Sequence, residues 1–239
     1  IEDSYYSEEN ITDLNTNEIV DTVEEDNNFI TYAEEQLPVK YNSVEKGYIS
    51  NVRNQGGYGT CWAFGTLAAI EANLIKNNKA KQSIDLSEAQ LAYFTYNHPK
   101  YNYGNIGRDV INVNDNMSYL DIGGNYFMSM LTLAKGIGVA NEEIMPYDKL
   151  SYSSTYDDEL AFKSDYIVKN NYFISMKDDV VVKNAIVKYG SVAATLHMNS
   201  WYLNGTTNAY NQNDETRSNH AIVVVGWNDN YYANNFRTT

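Results

Sequence analysis

The chain has 239 residues, 43% of them hydrophobic, which is enough to bury a core as one large domain or two small ones. No run of about 18 apolar residues occurs, so the sequence predicts no membrane span. The formal net charge is −14, but residues 1–36 hold 12 of the 31 acids and no Lys or Arg, which leaves 19 acids against 17 bases. No basic cluster favours nucleic acid as a partner.

An acidic arm precedes the rest of the chain. Residues 1–36 contain no Gly and no Pro and show no sustained hydrophobic period. Runs of like charge are usually solvated tails or linkers, which is one interpretation of this arm. The other interpretation is the remnant of a pro-segment. Ile1 opens an acidic stretch and not the basic and apolar regions of a signal peptide, so we expect none in this sequence.

Three helices are predicted in the first half of the remaining residues, 37–239. The first runs from Cys61 to about Asn77, because apolar residues recur along one face with the helical period. The second begins after Ser87, a favourable N-cap residue, and Gln90 three positions later completes a capping box. The third covers residues 126–135 and is ended by one of the glycines that follow.

The second half changes to β-branched runs between turn residues. The predicted strands are residues 166–168, 180–182, 191–196 and 221–225, with a short helix over residues 183–189. Helices thus dominate about residues 50–150 and strands about residues 160–239. This order favours an α+β fold.

The only cysteine, Cys61, falls where a glycine-rich turn runs into the first predicted helix. The positive end of a helix dipole favours a thiolate over a thiol at such a position. The surrounding run resembles the active-site segment of papain-like cysteine peptidases, Val-Lys-Asn-Gln-Gly-x-Cys-Gly-Ser-Cys-Trp-Ala-Phe. The residues that match it in unbroken register are Val52, Asn54, Gln55, Gly56, Gly59, Cys61, Trp62, Ala63 and Phe64.

This resemblance implies a papain-like fold, with a helical left subdomain, a β-rich right subdomain and an active-site cleft between them. It also implies that Cys61 is the nucleophile. His220 stands in Asn219-His220-Ala221-Ile222-Val223-Val224-Val225-Gly226-Trp227, which looks like the family's Asn-His-Ala-Val-x-x-Val-Gly-Tyr segment. The histidine of that segment pairs with the nucleophile, and the separation of about 160 residues agrees with family spacing.

Further site residues follow from the same resemblance. Gln55 matches the family glutamine whose side-chain amide stabilises the oxyanion beside the nucleophile's own N–H. Gly123 and Gly124 match the Gly-Gly of a family segment that offers backbone hydrogen bonds to an extended substrate. Four more residues at and near the two strand segments are predicted to bind substrate: Asn219, Ala221, Ala193 and Thr195.

The departures from the family are coordinated. The two positions of a family disulfide hold Tyr58 and Asp121, and Phe94 stands at the place of another family cysteine. Loss of structural cysteines together with retention of the nucleophile favours a bacterial branch. We therefore expect a secreted or cell-surface enzyme, from a Gram-positive organism.

The family's third residue is an asparagine in an Asn-Ser-Trp-Gly segment downstream of the histidine. No such segment follows His220, so the asparagine is expected beyond Thr239. Asn199-Ser200-Trp201 precedes the histidine and is rejected as its counterpart. Of the other histidines, His98 is predicted to be a surface residue and His197 a hydrogen-bonded strand residue.

The sequence thus predicts a cysteine endopeptidase that acts on proteins or peptides, with no metal or organic cofactor. Two alternatives stay open. One is an exopeptidase of the same fold, in which the predicted loop 97–119 or the acidic arm blocks one end of the cleft. The other is a cell-surface binding module with a vestigial site. The arm itself is a candidate intramolecular pro-segment, because Leu37-Pro38 resembles the mature start of papain-like enzymes.

Overall fold

A computed structural model describes residues 36–97, 117–212 and 216–237. The elements in chain order are β1 (Lys40–Asn42), α1 (Cys61–Lys76), α2 (Glu88–Tyr96), α3 (Tyr126–Ala134), α4 (Asp179–Tyr189), β2 (Val192–Leu196), β3 (His220–Val224) and β4 (Gly226–Asn228). Short 3-10 turns lie between several of them. None of the helices in these ranges is long and apolar enough to cross a membrane.

Helix α1 confirms the predicted span and face. It begins at Cys61 and ends at Lys76, whose positive charge lies in the last turn, where the helix dipole favours it. Ala63, Leu67 and Leu74 recur on one face and are almost fully buried. Helix α1 packs against α2, α3 and β3, so this face supports both halves of the molecule.

Helix α2 begins as predicted, but its capping box is only half formed. The Ser87 hydroxyl accepts a hydrogen bond from the backbone N–H of Gln90 at 3.0 Å. The Gln90 side chain does not return to Ser87. Its amide donates to the carbonyls of Leu160 and Lys163, and its oxygen accepts from the N–H of Ala140. The prediction of a reciprocal hydrogen bond is therefore wrong, because the Gln90 side chain bonds to distant backbone groups instead.

Helix α3 ends one residue before the predicted boundary. Asn125 caps its N-terminus, since its side-chain oxygen accepts from the N–H of Met128 at 3.0 Å. After the helix, Gly136 adopts φ +77°, a left-handed conformation that favours glycine.

Two strand predictions in the second half are wrong. Residues 180–182 lie inside α4, because the Asp178 side chain caps that helix through the N–H of Val181 and Gly190 ends it at φ +97°. Local β-propensity is thus overridden by strong helix signals at both ends. Residues 166–168 form no strand; Tyr166 makes only an isolated bridge to Val139.

The other two strand predictions are confirmed, and the strands pair with each other. β2 and β3 run antiparallel, with Ala194 opposite Ile222 and Leu196 opposite His220. A second antiparallel pair joins β1 to β4. Helices in the first half and small antiparallel sheets in the second confirm the α+β class.

Candidate active site

Cys61 is the first residue of α1, and its side chain is half-buried. The residue before it, Thr60, has φ −104° and ψ 13°, and its side chain does not cap the helix. In the part of the chain that the structure describes, nothing accepts the N–H groups of Cys61 and Trp62. The thiol therefore stands beside unsatisfied donors at the positive end of a 16-residue helix.

Gly123 and Gly124 lie against the start of α1. A Cβ atom on Gly124 would come within 2.4 Å of the Trp62 indole, which is fully buried. Gly123 has φ +81°, and its carbonyl accepts a hydrogen bond from the Tyr96 hydroxyl. Only glycine at position 124 lets this segment approach Trp62, the neighbour of Cys61, so closely.

Gln55 is held at both its side chain and its backbone. Its Nε2 donates to the carbonyl of Tyr58 at 2.8 Å, and its own carbonyl accepts from the Tyr147 hydroxyl at 2.8 Å. A carboxamide nitrogen carries two hydrogens, so one donor remains for a ligand. The same Tyr147 oxygen lies 2.6 Å from the Thr60 hydroxyl. The Tyr147 hydroxyl therefore links the backbone of Gln55 to the side chain of Thr60, the residue that precedes Cys61.

His220 opens β3, the strand that packs against α1. Its neighbour Ala221 belongs to the same hydrophobic cluster as Cys61. Tyr126 joins the two halves here, because its hydroxyl donates to the carbonyl of Ile222 at 2.8 Å and lies 3.2 Å from that of Ala194. Burial, and then the proximity of Cys61, raise the pKa of Tyr126, so this hydroxyl stays a donor.

The predicted substrate-binding residues of the strands share one surface. Ala221 is the direct antiparallel partner of Thr195, and Ala193 lies two residues earlier on the same strand, so their side chains emerge on one face. Thr195 is exposed, whereas Ala221 is 9% exposed. Asn219 uses its side chain differently: its oxygen accepts from the Met198 N–H and its amide donates to the Met198 carbonyl.

The remaining histidine and asparagine candidates have structural partners. The Nδ1 of His197 lies 2.9 Å from the carbonyl of Arg217, which can only accept, so this nitrogen carries the proton. Asn199 caps a 3-10 turn through the N–H of Trp201. His98 lies outside the described residues.

Tyrosines connect the two positions where the family has a disulfide. The Tyr58 hydroxyl donates to the carbonyl of Leu150 at 3.1 Å, and its ring meets that of Tyr152 edge to face at 5.5 Å. The Tyr152 hydroxyl in turn donates to Asp121 at 3.0 Å. Phe94, at the other cysteine position, is fully buried in a second core cluster.

Arg53 anchors the loop that leads to Gln55. Its guanidinium contacts Glu71 at 2.7 Å and Asp85 at 2.6 Å, and it donates to the carbonyl of Ile84 at 2.6 Å. Glu71 is fully buried, and its second oxygen accepts the N–H of Leu86. This network ties the loop to α1 and to the residues before α2.

Three carboxylates near Arg53 are the described acids that come close enough together to suggest a cation. One oxygen each of Asp85, Glu88 and Glu142 lies within 4.8 Å of the others. The Arg53 guanidinium already pairs with Asp85. Burial raises the pKa of Glu88 to about 8 and that of Glu142 to about 7, which indicates that protons supply part of the compensation. We assign no metal to this cluster.

No local sequence pattern marks Tyr126 or Tyr147 as site residues. The Tyr126 hydroxyl reaches the carbonyl of Ile222, 96 positions away, and the Tyr147 hydroxyl reaches that of Gln55, 92 positions away. A contact of this kind becomes visible only when the chain is folded.

Comparison with known proteins agrees with this geometry. The family described as papain family cysteine protease matches residues 37–236. Cathepsin L-like proteinase of Fasciola hepatica is 25% identical over 193 residues, covering 80% of this chain and 52% of that protein. Mouse (Mus musculus) cathepsin K is 26% identical over 200 residues, covering 81% and 52%. The chain thus spans about half the length of the curated relatives it matches.

Among solved structures, the cysteine protease and lectin-like domains of Cwp84, a surface layer associated protein of Clostridium difficile, are 28% identical. The TM-score is 0.66, and the match covers 87% of this chain and 42% of that one. A digestive procathepsin L 3 of Tenebrio molitor shares the fold at 20% identity and TM-score 0.56, covering 81% and 56%. The motif around Cys61, the packing of its helix on β3 and the match over residues 37–236 lead to one conclusion: the chain belongs to the papain family of cysteine proteases.

Proposed function

We propose that this chain carries the active site of a cysteine endopeptidase in which Cys61 is the nucleophile and His220 the general base. The observation that carries the proposal is the position of Cys61 at the open N-terminus of α1, which packs on the strand that begins at His220. A helix N-terminus and a nearby imidazolium both favour the thiolate.

In this mechanism the Cys61 sulfur attacks the carbonyl carbon of the scissile bond and forms a tetrahedral oxyanion. The Cys61 N–H and the free hydrogen on the Gln55 amide stabilise that oxyanion; one such donor is typically worth roughly 3–4 kcal/mol. His220 gives its proton to the leaving amine, and the C–N bond breaks. Water, deprotonated by His220, then hydrolyses the thioester and restores the thiolate.

An apolar specificity pocket is the second part of the proposal. We assign its wall to Ala221, Ala193 and Thr195, and its occupant to the second residue on the amino side of the scissile bond. Ala221 and Ala193 give this wall small apolar side chains, and none of the three wall residues is acidic. Such a wall favours an apolar or aromatic side chain over a basic one.

We further propose that the enzyme is secreted or attached to the cell surface of a Gram-positive bacterium, and that residues 1–36 act as a pro-segment. The likeness to Cwp84 supports the location. A second Cwp84 structure, 27% identical, is of a form after propeptide cleavage, which supports processing ahead of residue 37. Only Gln36 of the arm lies within the described residues.

The test compares variants of the protein. Cys61→Ala and His220→Ala are expected to abolish peptide hydrolysis and labelling by an epoxysuccinyl thiol inhibitor, without loss of the fold. His197→Ala is the matched control and is expected to keep both. Turnover above background in Cys61→Ala would overturn the nucleophile. A wild-type protein that folds but is not labelled would favour the vestigial binding module.

Product analysis on a mixed peptide library separates the endopeptidase from the exopeptidase. Internal cleavage is expected; release of single terminal residues or dipeptides alone would favour the exopeptidase. Equal activity with residues 1–36 present or removed would exclude an inhibitory pro-segment.

A further inference from the structure

We infer that Tyr147 is a positioning residue of the oxyanion hole. Together with Thr60 it holds in place the two hydrogen-bond donors of the hole. This inference rests on the proposed function, in which the Gln55 amide and the Cys61 N–H are those donors. Tyr147 touches neither the sulfur nor the substrate in this scheme. It fixes the backbone on either side of the place where the oxyanion forms.

The hydrogen-bond directions follow from the chemistry of the three groups. The Gln55 carbonyl can only accept, so the single hydrogen of the Tyr147 hydroxyl points to it over 2.8 Å. The Thr60 hydroxyl, 2.6 Å from the same oxygen, must then be the donor. One directed chain therefore runs from Thr60 through Tyr147 to the backbone of Gln55.

The start of helix α1 is open beside these hydrogen bonds. A threonine before a helix normally turns its oxygen to the N–H of the second or third helical residue. Thr60 does not: its side chain makes no cap bond, and its hydroxyl is turned to Tyr147. In the described part of the protein, no group accepts the N–H groups of Cys61 and Trp62, so both stay open to an oxyanion.

Tyr147 is itself held firmly. Its ring meets Phe64 edge to face at 4.8 Å, and its N–H donates to a Glu142 oxygen at 2.6 Å. Burial raises the pKa of Tyr147 to about 12, so the hydroxyl keeps its hydrogen at neutral pH. On the other side of the hole, the Gln55 amide is directed by its bond to the Tyr58 carbonyl. The donors are thus preorganised by protein groups.

The experiment separates oxyanion stabilisation from thiolate reactivity in the full-length protein. Tyr147→Phe removes only the hydroxyl, and Thr60→Val removes the other member of the chain at nearly the same volume. Three readouts are compared: kcat and KM for a peptide substrate, the affinity of a peptide aldehyde, and the rate of alkylation by iodoacetamide. The Cys61 sulfur adds to the aldehyde carbon, and the aldehyde oxygen then occupies the oxyanion hole. Alkylation at the saturated carbon of iodoacetamide forms no oxyanion.

For Tyr147→Phe and Thr60→Val we expect kcat to fall about 10- to 100-fold with KM nearly unchanged, since misplacement of catalytic groups by about 1 Å costs up to that factor. Aldehyde affinity should fall in parallel, and iodoacetamide alkylation should stay within about twofold. The double variant should lose no more than either single one, because both act through one chain. Thr60→Ser keeps the hydroxyl and should therefore keep the activity that Thr60→Val loses.

Tyr210→Phe is the matched control, because its half-buried hydroxyl also donates to a backbone carbonyl, that of His197, which lies outside the hole. It should leave all three readouts unchanged. A kcat within twofold of wild type in folded Tyr147→Phe and Thr60→Val would overturn the inference. So would an equal fall in alkylation, which would mean that the thiolate pair was damaged. If Cys61→Ala stays active, the proposed function fails, which is a different result from either.

Discussion

The two halves of the molecule bury their side chains to different extents. All nine residues of α2 are buried, and α1 buries nine of its sixteen. In the second half, β3 buries only Ala221 and β2 only Ala194. Phe173 exposes 66% of its surface and Tyr172 56%.

This difference bears on the proposed chemistry. The proposed nucleophile stands on a helix whose surroundings are closed, and the loop before it is held by Arg53 and Tyr147. The proposed base stands on a strand whose neighbours remain partly solvated. We therefore expect substitutions in the first half to have larger effects on stability and activity than matched substitutions in the second.

The largest expected effect breaks the closed core. Phe94→Ala should lower the free energy of unfolding by about 3–5 kcal/mol, because the ring is fully buried and leaves a cavity. Phe173→Ala is the matched change in the second half. It should change the free energy of unfolding by no more than about 0.5 kcal/mol, because that ring is mostly exposed to solvent. Denaturant unfolding of both variants measures the contrast, and equal losses would refute it.

Gly124→Ala should reduce activity more than stability. Its Cβ would lie 2.4 Å from the buried Trp62 indole, so the segment must move away from the nucleophile's neighbour. We expect kcat/KM to fall about 10- to 100-fold. Gly57→Ala is the control, because an added Cβ there meets nothing within 4 Å. Steady-state kinetics decide, and a Gly124→Ala enzyme with wild-type kinetics would remove this glycine from the site.

The Arg53 cluster should make stability depend on pH. The pKa of Glu88 is about 8 in the folded protein against an ordinary 4.5, because burial outweighs the attraction of Arg53. Between these values the folded state holds a proton that the unfolded chain has released. The free energy of unfolding should therefore fall as pH rises from about 4.5 to about 8, and level off above. Glu142, whose pKa is raised to about 7, adds to the same trend.

Glu88→Gln should flatten this slope, because the amide stays neutral at every pH in the range. Unfolding curves of both proteins at pH 5 and pH 9 provide the measurement. The variant should gain on wild type at the higher pH. A wild-type slope that survives the substitution would show that other groups cause it.

The smallest expected effect lies in the second half. Asp229→Asn removes an ion pair with Lys183, in which the two side chains are 17% and 46% exposed. Solvent screening should limit the loss to about 0.2–1 kcal/mol, and added salt should reduce it further. A salt-independent loss of several kcal/mol would show that this half is as tightly coupled as the first.

The sequence by itself determined the site motifs and the elements with strong local signals. These signals are local: the motif around Cys61, the Ser87 cap and the glycine after α3. Each involves only a few neighbouring residues, so the sequence shows it directly. The strands β2 and β3 were likewise predictable from β-branched runs. Ala193, Thr195 and Ala221 were predicted from their positions beside His220 and on the strand 191–196; the shared face itself comes from the strand pairing.

Only the tertiary structure decided the features that depend on distant partners. Gln90 left its capping box for carbonyls about 70 residues away, and residues 180–182 became helical because Asp178 and Gly190 fix both ends. Tyr147 meets Gln55 across 92 positions. The physical reason is the same in each case: the free energy of a hydrogen bond or a packed ring depends on which groups are close in space, and no local pattern records that proximity.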